Sequence, residues 1–233
     1  MAKRVLFAEY DPTKNIVKEE HYIEFSDIQP NKNLWYLFVK RTCDIGCSLL
    51  ALIVLMPLFL CVAAAIKLED GGSVFFRQRR TGKDLKEFDM FKFRSMVPDA
   101  EKILKELEGE NEASGPVFKM KKDPRVTKVG RFIRKYSIDE LPQLINILKG
   151  DMSIVGPRPP LPYEVALYSD YDKQRLKVRP GLTCYWQCLG RSKISFEKWV
   201  DMDLEYINDQ SIWCDFKMII RTIPAVLKGE GAY

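Results

Sequence analysis

Histidine is almost missing from this 233-residue chain: His21 stands alone. That scarcity removes most zinc chemistry, because Cys184 and Cys188, four apart, find no further cysteine or histidine nearby to complete the four ligands of a structural site. The other cysteines are scattered, with Cys43, Cys47 and Cys61 inside an apolar run. No secretory signal is read ahead of them, so reduced thiols in the cytosol are expected. No recognised nucleic-acid-binding motif occurs either, although the formal net charge is +5.

Two longer stretches are defined by what they omit. From Ile45 to Ile66 there are 22 residues without a charge, between Lys40-Arg41 and Lys67. As a straight helix they would extend about 33 Å, enough to cross a hydrocarbon core, and the run is too long and too late for a signal peptide. Pro57, near its middle, removes one backbone hydrogen bond and clashes with the carbonyl of Ile53, so a kink is expected. Two arrangements stay open: a bent span that sends residues 1 to 39 to the far side, or a re-entrant helix that turns at Pro57 and returns. Basic residues at both ends lean weakly toward the second. The other stretch, Lys119 to Lys135, holds eight Lys or Arg and a single acid, Asp123, a composition suited to phosphate.

What is present, 46% apolar and 30% charged residues, suffices for one catalytic domain with a substantial core. Residues 1 to 39 carry no readable chemistry and end in Leu34-Trp35-Tyr36-Leu37-Phe38, a patch suited equally to a membrane interface or to packing. After the apolar run, Val74 to Lys83 reads as a strand entering a basic turn. Phe88 to Arg94 alternates apolar and polar, with Lys92 and Arg94 on one face, and the two stretches are expected to form a hairpin. Solvated strand charge and contact with phosphate or lipid headgroups account equally well for these basic residues. Pro98 to Glu112 is expected to be a charged surface helix with Ile103, Leu104 and Leu107 inward, and Asn111 to Pro116 a loop.

The rest of the chain is organised around Ser137-Ile138-Asp139-Glu140-Leu141-Pro142. Leu141, Leu144, Ile145 and Leu148 recur at helical spacing and Lys149-Gly150 closes the run, which predicts a short helix from about 139 to 149 with both carboxylates in its first turn. Unpaired N–H groups and the positive end of the dipole favour anions there, so Asp139 should be ionised at neutral pH, with a phosphate welcome beside it. Ser137-x-x-Glu140 is also the pattern of a capping box, which taken alone is the commoner explanation, although Pro142 fits poorly in a helix capped at Ser137. Arg131 and Arg134 are expected near Asp139. Gly156-Pro157-Arg158-Pro159-Pro160 is a stiff turn after the apolar strand Met152 to Val155, and its prolines restrict the guanidinium in a way that suits bidentate phosphate binding. Gly190-Arg191, beyond Tyr185-Trp186-Gln187, is another candidate phosphate contact. Asp201, Asp203, Asp209 and Asp215 fall by default on solvated faces.

In this order the motifs resemble those of the bacterial sugar transferases, the monotopic phosphoglycosyl transferases that start polysaccharide assembly on polyprenyl phosphate. The resemblance covers about 40 to 233. It rests on Lys40-Arg41-x-x-Asp44 before the apolar run, Phe91-Lys92-Phe93-Arg94-Ser95-Met96, and Asp123-Pro124-Arg125-Val126-Thr127-x-Val129-Gly130. It continues in Ser137-x-Asp139-Glu140-Leu141-Pro142-Gln143, Lys149-Gly150-Asp151-Met152-Ser153-x-Val155-Gly156-Pro157-Arg158-Pro159, Arg179-Pro180-Gly181-Leu182-Thr183 and Gly190-Arg191. Two departures stand out: Met56 where Ser often precedes the breaking proline, and Cys184-Tyr185 where glycine is common after Leu182-Thr183.

The resemblance implies an α+β fold: an N-terminal extension over 1–39, a re-entrant membrane helix over 40–68 bent at the central Pro57, and a small, mostly helical cytosolic catalytic domain with short strands over 69–233. It implies transfer of a sugar 1-phosphate from a uridine diphosphate sugar to polyprenyl (undecaprenyl) phosphate with release of uridine monophosphate, at the bacterial inner membrane, with Mg2+ at Asp139. Asp139 is then the nucleophile that forms a covalent phosphosugar intermediate and Glu140 its partner, a division that splits one difficult displacement into two. Arg158 and Arg191 would hold phosphates, with Lys92, Arg94, Arg134, Gln187, Asp203 and Asp215 around the pocket. The ending Leu227 to Tyr233 is similar to members using hexose donors, galactose or glucose. A homodimer is expected by analogy alone, and no nucleic-acid partner is expected. Two alternatives stay open: a membrane-anchored module that binds anionic lipid or nucleic acid, for which Asp139 and Glu140 would be dispensable, and a one-step transferase with Asp139 as metal ligand or base.

Overall fold

The computed structural model describes residues 2–5, 10–11, 16–17, 20–23, 28–100, 102–103, 120, 123–189 and 194–228. The expected helix from Pro98 to Glu112 and the loop after it lie mostly outside these residues, as does Arg191. At the N-terminal end β1 (Ala2–Val5) pairs antiparallel with β4 (Glu20–Ile23), and β2 (Tyr10–Asp11) with β3 (Ile16–Val17).

The apolar run forms two helices, α1 (Leu34–Val54) and α2 (Met56–Asp70), bent by 61° at Leu55. Helix α1 begins at Leu34, ahead of the expected start at residue 40, because the Asn33 side chain accepts from the N–H groups of Trp35 and Tyr36. Pro57 falls in the first turn of α2, where its missing N–H costs little. Neither helix is long and apolar enough alone to cross a membrane, whereas the bent pair meets that measure by length and composition. One side of the pair is tied to the rest of the chain. Ala51 and Leu52 pack on a cluster of Phe88, Met90, Leu144, Ile147 and Met152, and Val62 and Ile66 pack with Phe93 and Ile133. Leu49, Leu50, Ile53, Val54, Met56 and Leu60 remain exposed on the other side, a contiguous apolar surface of the kind that marks a lipid or protein contact.

The expected hairpin is present: β5 (Phe75–Thr81) pairs antiparallel with β6 (Glu87–Phe93), Phe75 opposite Phe93. Helix α3 (Lys128–Lys135), capped by the Thr127 hydroxyl, leads into the acidic turn. The predicted helix over 139–149 is corrected here. Ile138–Glu140 is a single 3-10 turn, and α4 (Gln143–Lys149) starts only after Pro142, which has no N–H to continue an α-helical ladder from Ile138. The capping box is absent too: Ser137 sits at φ 54°, left-handed, and makes no side-chain cap.

Strand β7 (Ser153–Val155) pairs in parallel with β8 (Gly181–Thr183). Beyond this pair Gly156 and Gly181 meet backbone to backbone; a Cβ on Gly181 would lie 2.0 Å from the nitrogen of Gly156. Gly181→Ala is therefore expected to cost about 2 kcal/mol or more of stability, read as a lower urea midpoint with unchanged slope. An unchanged midpoint would contradict this close approach. Short helical turns at Pro162–Ala166 and Asp170–Lys173 precede β8. Helices α5 (Tyr185–Leu189), α6 (Phe196–Asn208) and α7 (Ile212–Lys228) follow it, with α6 buried almost all round. The architecture is thus α+β, mostly helical with short strands.

Candidate active site

Three elements deliver charge to one cleft. Asn146, fully buried in α4, accepts from the N–H of Phe91 (2.9 Å) and donates to the carbonyl of Asp89 (2.7 Å), so it docks α4 against β6 as an extra strand partner would. That docking brings Lys92 to the acidic turn, where its Nζ lies 3.1 Å from Glu140 Oε1. The Pro-flanked turn after β7 brings Arg158, whose Nη1 lies 3.1 Å from the same oxygen. From α5 the Gln187 amide approaches Glu140 Oε2 at 3.5 Å. The cleft is shallow and is lined by Glu140, Arg158 and Gln187 together with Gln143, Met90 and Leu182. Gln143 was given no role from sequence, yet it is buried and lines this cleft, and among the described residues its amide has no hydrogen-bond partner.

The two carboxylates are held differently. Burial opposes charge on Glu140, but Lys92 and Arg158 outweigh it and keep its carboxyl well below the usual range. Asp139 is also buried, and among the described residues no donor hydrogen-bonds to its carboxylate. Burial therefore dominates and, with repulsion from Glu140, pushes its carboxyl up to about 6 against the pull of Lys92, Arg134 and Arg158. The expected helix-terminus effect is absent because Asp139 precedes α4 by a turn rather than lying inside it. If an ionised Asp139 is required, kcat/KM rises with pH through about 6. A pH series on the free enzyme checks this, and a limb near the ordinary carboxylate value of about 4 would contradict it.

Other candidates fall elsewhere. Arg134 acts on Asp139 through its charge. Arg94 does not share the Lys92 direction: it follows the last residue of β6, and its guanidinium pairs with Asp70 and donates to the carbonyl of Ser73 (2.6 Å), fastening the end of α2 to the hairpin. Asp203 and Asp215, assigned by default to solvated faces, are both buried. Asp203 pairs with the buried Arg175, and Asp215 accepts from Lys40 (2.8 Å), Tyr206 (2.8 Å) and Tyr36 (3.0 Å).

Lys40, Arg41 and Asp44, which the sequence marks as one of the family motifs beside the apolar run, have partners in the site's framework. Lys40 donates to the carbonyl of Val155 (3.0 Å), which also lies 3.0 Å from the Tyr206 hydroxyl, two residues before the Pro157-Arg158 turn. Arg41 donates to the last carbonyls of α4, Ile147 and Leu148, and Asp44 accepts from the N–H of Ile154 and the hydroxyl of Ser153. Helix α1 thus grips both arms of the site, the helix after Asp139-Glu140 and the strand before Arg158.

Among the described residues no three acidic, cysteine or histidine side chains gather as a ready metal site. Magnesium does not require one: it binds through one or two carboxylates and completes its shell with water and substrate phosphate. Asp139, without a hydrogen-bond partner among the described residues and beside a cationic cleft, fits that donor chemistry.

The sequence matches the family described as Bacterial sugar transferase over residues 35–229. The chain belongs to this family. Relatives at high identity agree. It is 46% identical over 198 residues to the galactosyl transferase CpsE of Streptococcus agalactiae, covering 84% of this chain and 44% of that protein. It is 43% identical over 198 residues to the exopolysaccharide production protein ExoY of Sinorhizobium fredii, covering 83% and 88%. It is 42% identical over 204 residues to the undecaprenyl-phosphate galactose phosphotransferase of Salmonella typhimurium, covering 84% and 42%. The chain therefore spans less than half of two of these relatives and most of the third. As a bacterial sugar transferase it is a member of an enzyme family, and the dyad, Lys92, Arg158 and Gln187 all lie within the matched region.

Proposed function

We propose that this bacterial sugar transferase moves a hexose 1-phosphate, galactose or glucose, from a uridine diphosphate sugar to polyprenyl phosphate and so starts the assembly of a polysaccharide or glycoconjugate. The asymmetry of the pair supports this most directly: Glu140 is neutralised by Lys92 and Arg158, whereas among the described residues its neighbour Asp139 receives no hydrogen bond that would blunt it. In the first step an oxygen of Asp139 attacks the phosphorus bearing the sugar, and the bond to the uridine monophosphate oxygen breaks with its electron pair. In the second, an oxygen of polyprenyl phosphate attacks the same phosphorus and the carboxylate is released. Each step opposes two anions, so Lys92 and Arg158 act by lowering that repulsion. Magnesium, held by Asp139 and donor phosphate oxygens, would add to that neutralisation. The exposed apolar side of α1 and α2 suits a re-entrant pair in the inner membrane, with the cleft on the cytosolic side where a nucleotide sugar is available.

The test is release of uridine monophosphate from a panel of nucleotide sugars by the membrane-bound chain with polyprenyl phosphate and magnesium. Release from a uridine diphosphate hexose is expected. No release from any donor, together with salt-sensitive binding to anionic vesicles, would instead favour the binding module.

A further inference from the structure

A closed ring of contacts runs from Arg158 through the core and back to Arg158. The Cζ of Arg158 stands 5.7 Å over the ring of Trp186. Trp186 is stacked on Trp199, centroids 4.8 Å apart and planes 20° from parallel, and the Cζ of Arg175 lies 4.6 Å over Trp199. Arg175 pairs with Asp203, donates to the Tyr168 hydroxyl (3.2 Å), and directs Nη2 at the main-chain carbonyl of Arg158 (3.5 Å). One arginine's backbone and side chain are therefore both reached from the same aromatic stack. All four members, Trp186, Trp199, Arg175 and Asp203, are buried.

We propose that Trp186 is a positioning residue for Arg158, a rigid platform that holds the guanidinium in the plane from which it addresses the donor diphosphate. The inference rests on the phosphate-binding role given to Arg158 above. An arginine carries several rotatable bonds, and a free one must lose that freedom each time it binds phosphate. Here Glu140 takes one Nη1 bond and the Trp186 ring lies within cation–π reach, its centroid 5.7 Å from Cζ, so the fork is restrained before a ligand arrives. The attraction of a cation to an aromatic face depends on the ring's π-system. Phenylalanine at 186 keeps an aromatic face, and methionine fills the space without one.

A cycle over Trp186→Met, Trp186→Phe, Arg158→Ala and the pair Trp186→Met/Arg158→Ala, read as uridine monophosphate release from the preferred donor, tests this. Trp186→Met is expected to lower kcat/KM about 10-fold to 30-fold, Trp186→Phe less than about threefold, and the double variant no further than Arg158→Ala alone. A merely structural tryptophan predicts losses that multiply, or Met and Phe variants that behave alike, and either result overturns the proposal.

A second arm needs neither turnover nor a folded Met variant. Titrating the native chain with inorganic pyrophosphate should change tryptophan emission as the anion binds at the Arg158 guanidinium held beside the indole, and the change should vanish in Arg158→Ala and in Trp186→Phe. A response that survives Trp186→Phe overturns the platform. If the native chain turns over no donor while the pyrophosphate response behaves as stated, the transferase reading falls and the platform stands.

Discussion

Asp139→Asn is expected to abolish uridine monophosphate release, at least about a thousand-fold or ~4 kcal/mol of barrier, without unfolding the chain. Asparagine keeps the size of the side chain and replaces the anionic carboxylate with a neutral amide, whose oxygen is a poor nucleophile toward phosphorus. Stability should move the other way. The Asp139 carboxyl is raised from 3.8 to about 6 in the fold, so between those values the folded chain holds a proton that the unfolded chain has lost. Stability contributed by this group therefore falls as pH rises through that window, and at pH 7 the ionised carboxylate is a cost. The variant should melt no lower than the native chain at pH 7 and should lose that advantage near pH 4. Glu140 has the opposite sign, since its carboxyl is lowered and its contribution is lost as pH falls. Glu140→Gln is accordingly expected to destabilise at pH 7. An Asp139→Asn chain that retains a tenth of native activity would remove Asp139 from the nucleophile's role.

Arg175→Met is expected to have the largest effect on stability, about 3–5 kcal/mol at pH 7. Both side chains of the Arg175–Asp203 pair are sealed from solvent, at 0% and 1% exposure, so removing one leaves the other charged in the core. Asp203 already has its carboxyl raised to about 6 by burial, against the pull of Arg175. Without the arginine it should protonate on folding, and the destabilisation should therefore shrink as pH falls toward 5. The double variant Arg175→Met/Asp203→Leu should recover much of the loss, because a buried pair is worth little more than well-packed apolar groups. Urea melts at pH 7 and pH 5 check both points. A loss below about 1 kcal/mol for Arg175→Met would show that water reaches Asp203.

What the sequence disclosed was local. The hairpin followed from the alternation in Phe88 to Arg94, which depends on neighbours in the chain, and the apolar run is broken at Leu55, two residues before the Pro57 at which a kink was expected. Asp139 and Glu140 were legible as adjacent carboxylates, but the opposite shifts of their two carboxyls were not. That difference comes from Lys92 and Arg158, 48 and 18 residues from Glu140, both of which settle on Glu140. The capping box misled for the same reason, because the side chain that would have closed it was already engaged. Lys40, Arg41 and Asp44 were legible as a motif before the apolar run but not in their role, since their partners at Val155, Ile147 and Ile154 lie 106 to 115 residues away. Asp203 and Asp215 looked solvated because acids in helices usually are. Residues Met202 to Ile207 of α6 are buried without interruption, and only long-range partners make such acids tolerable there.

The central claim, covalent transfer through Asp139, is tested most directly by intact mass. The native chain is incubated with its donor and magnesium but without polyprenyl phosphate, and acid-quenched. The account predicts a mass gain of one hexose phosphate that maps to Asp139, is absent from Asp139→Asn, and is discharged when polyprenyl phosphate is added. Uridine monophosphate formed only when the lipid is present, with no adduct at any time, would contradict it and leave Asp139 as a base or ligand in a one-step transfer.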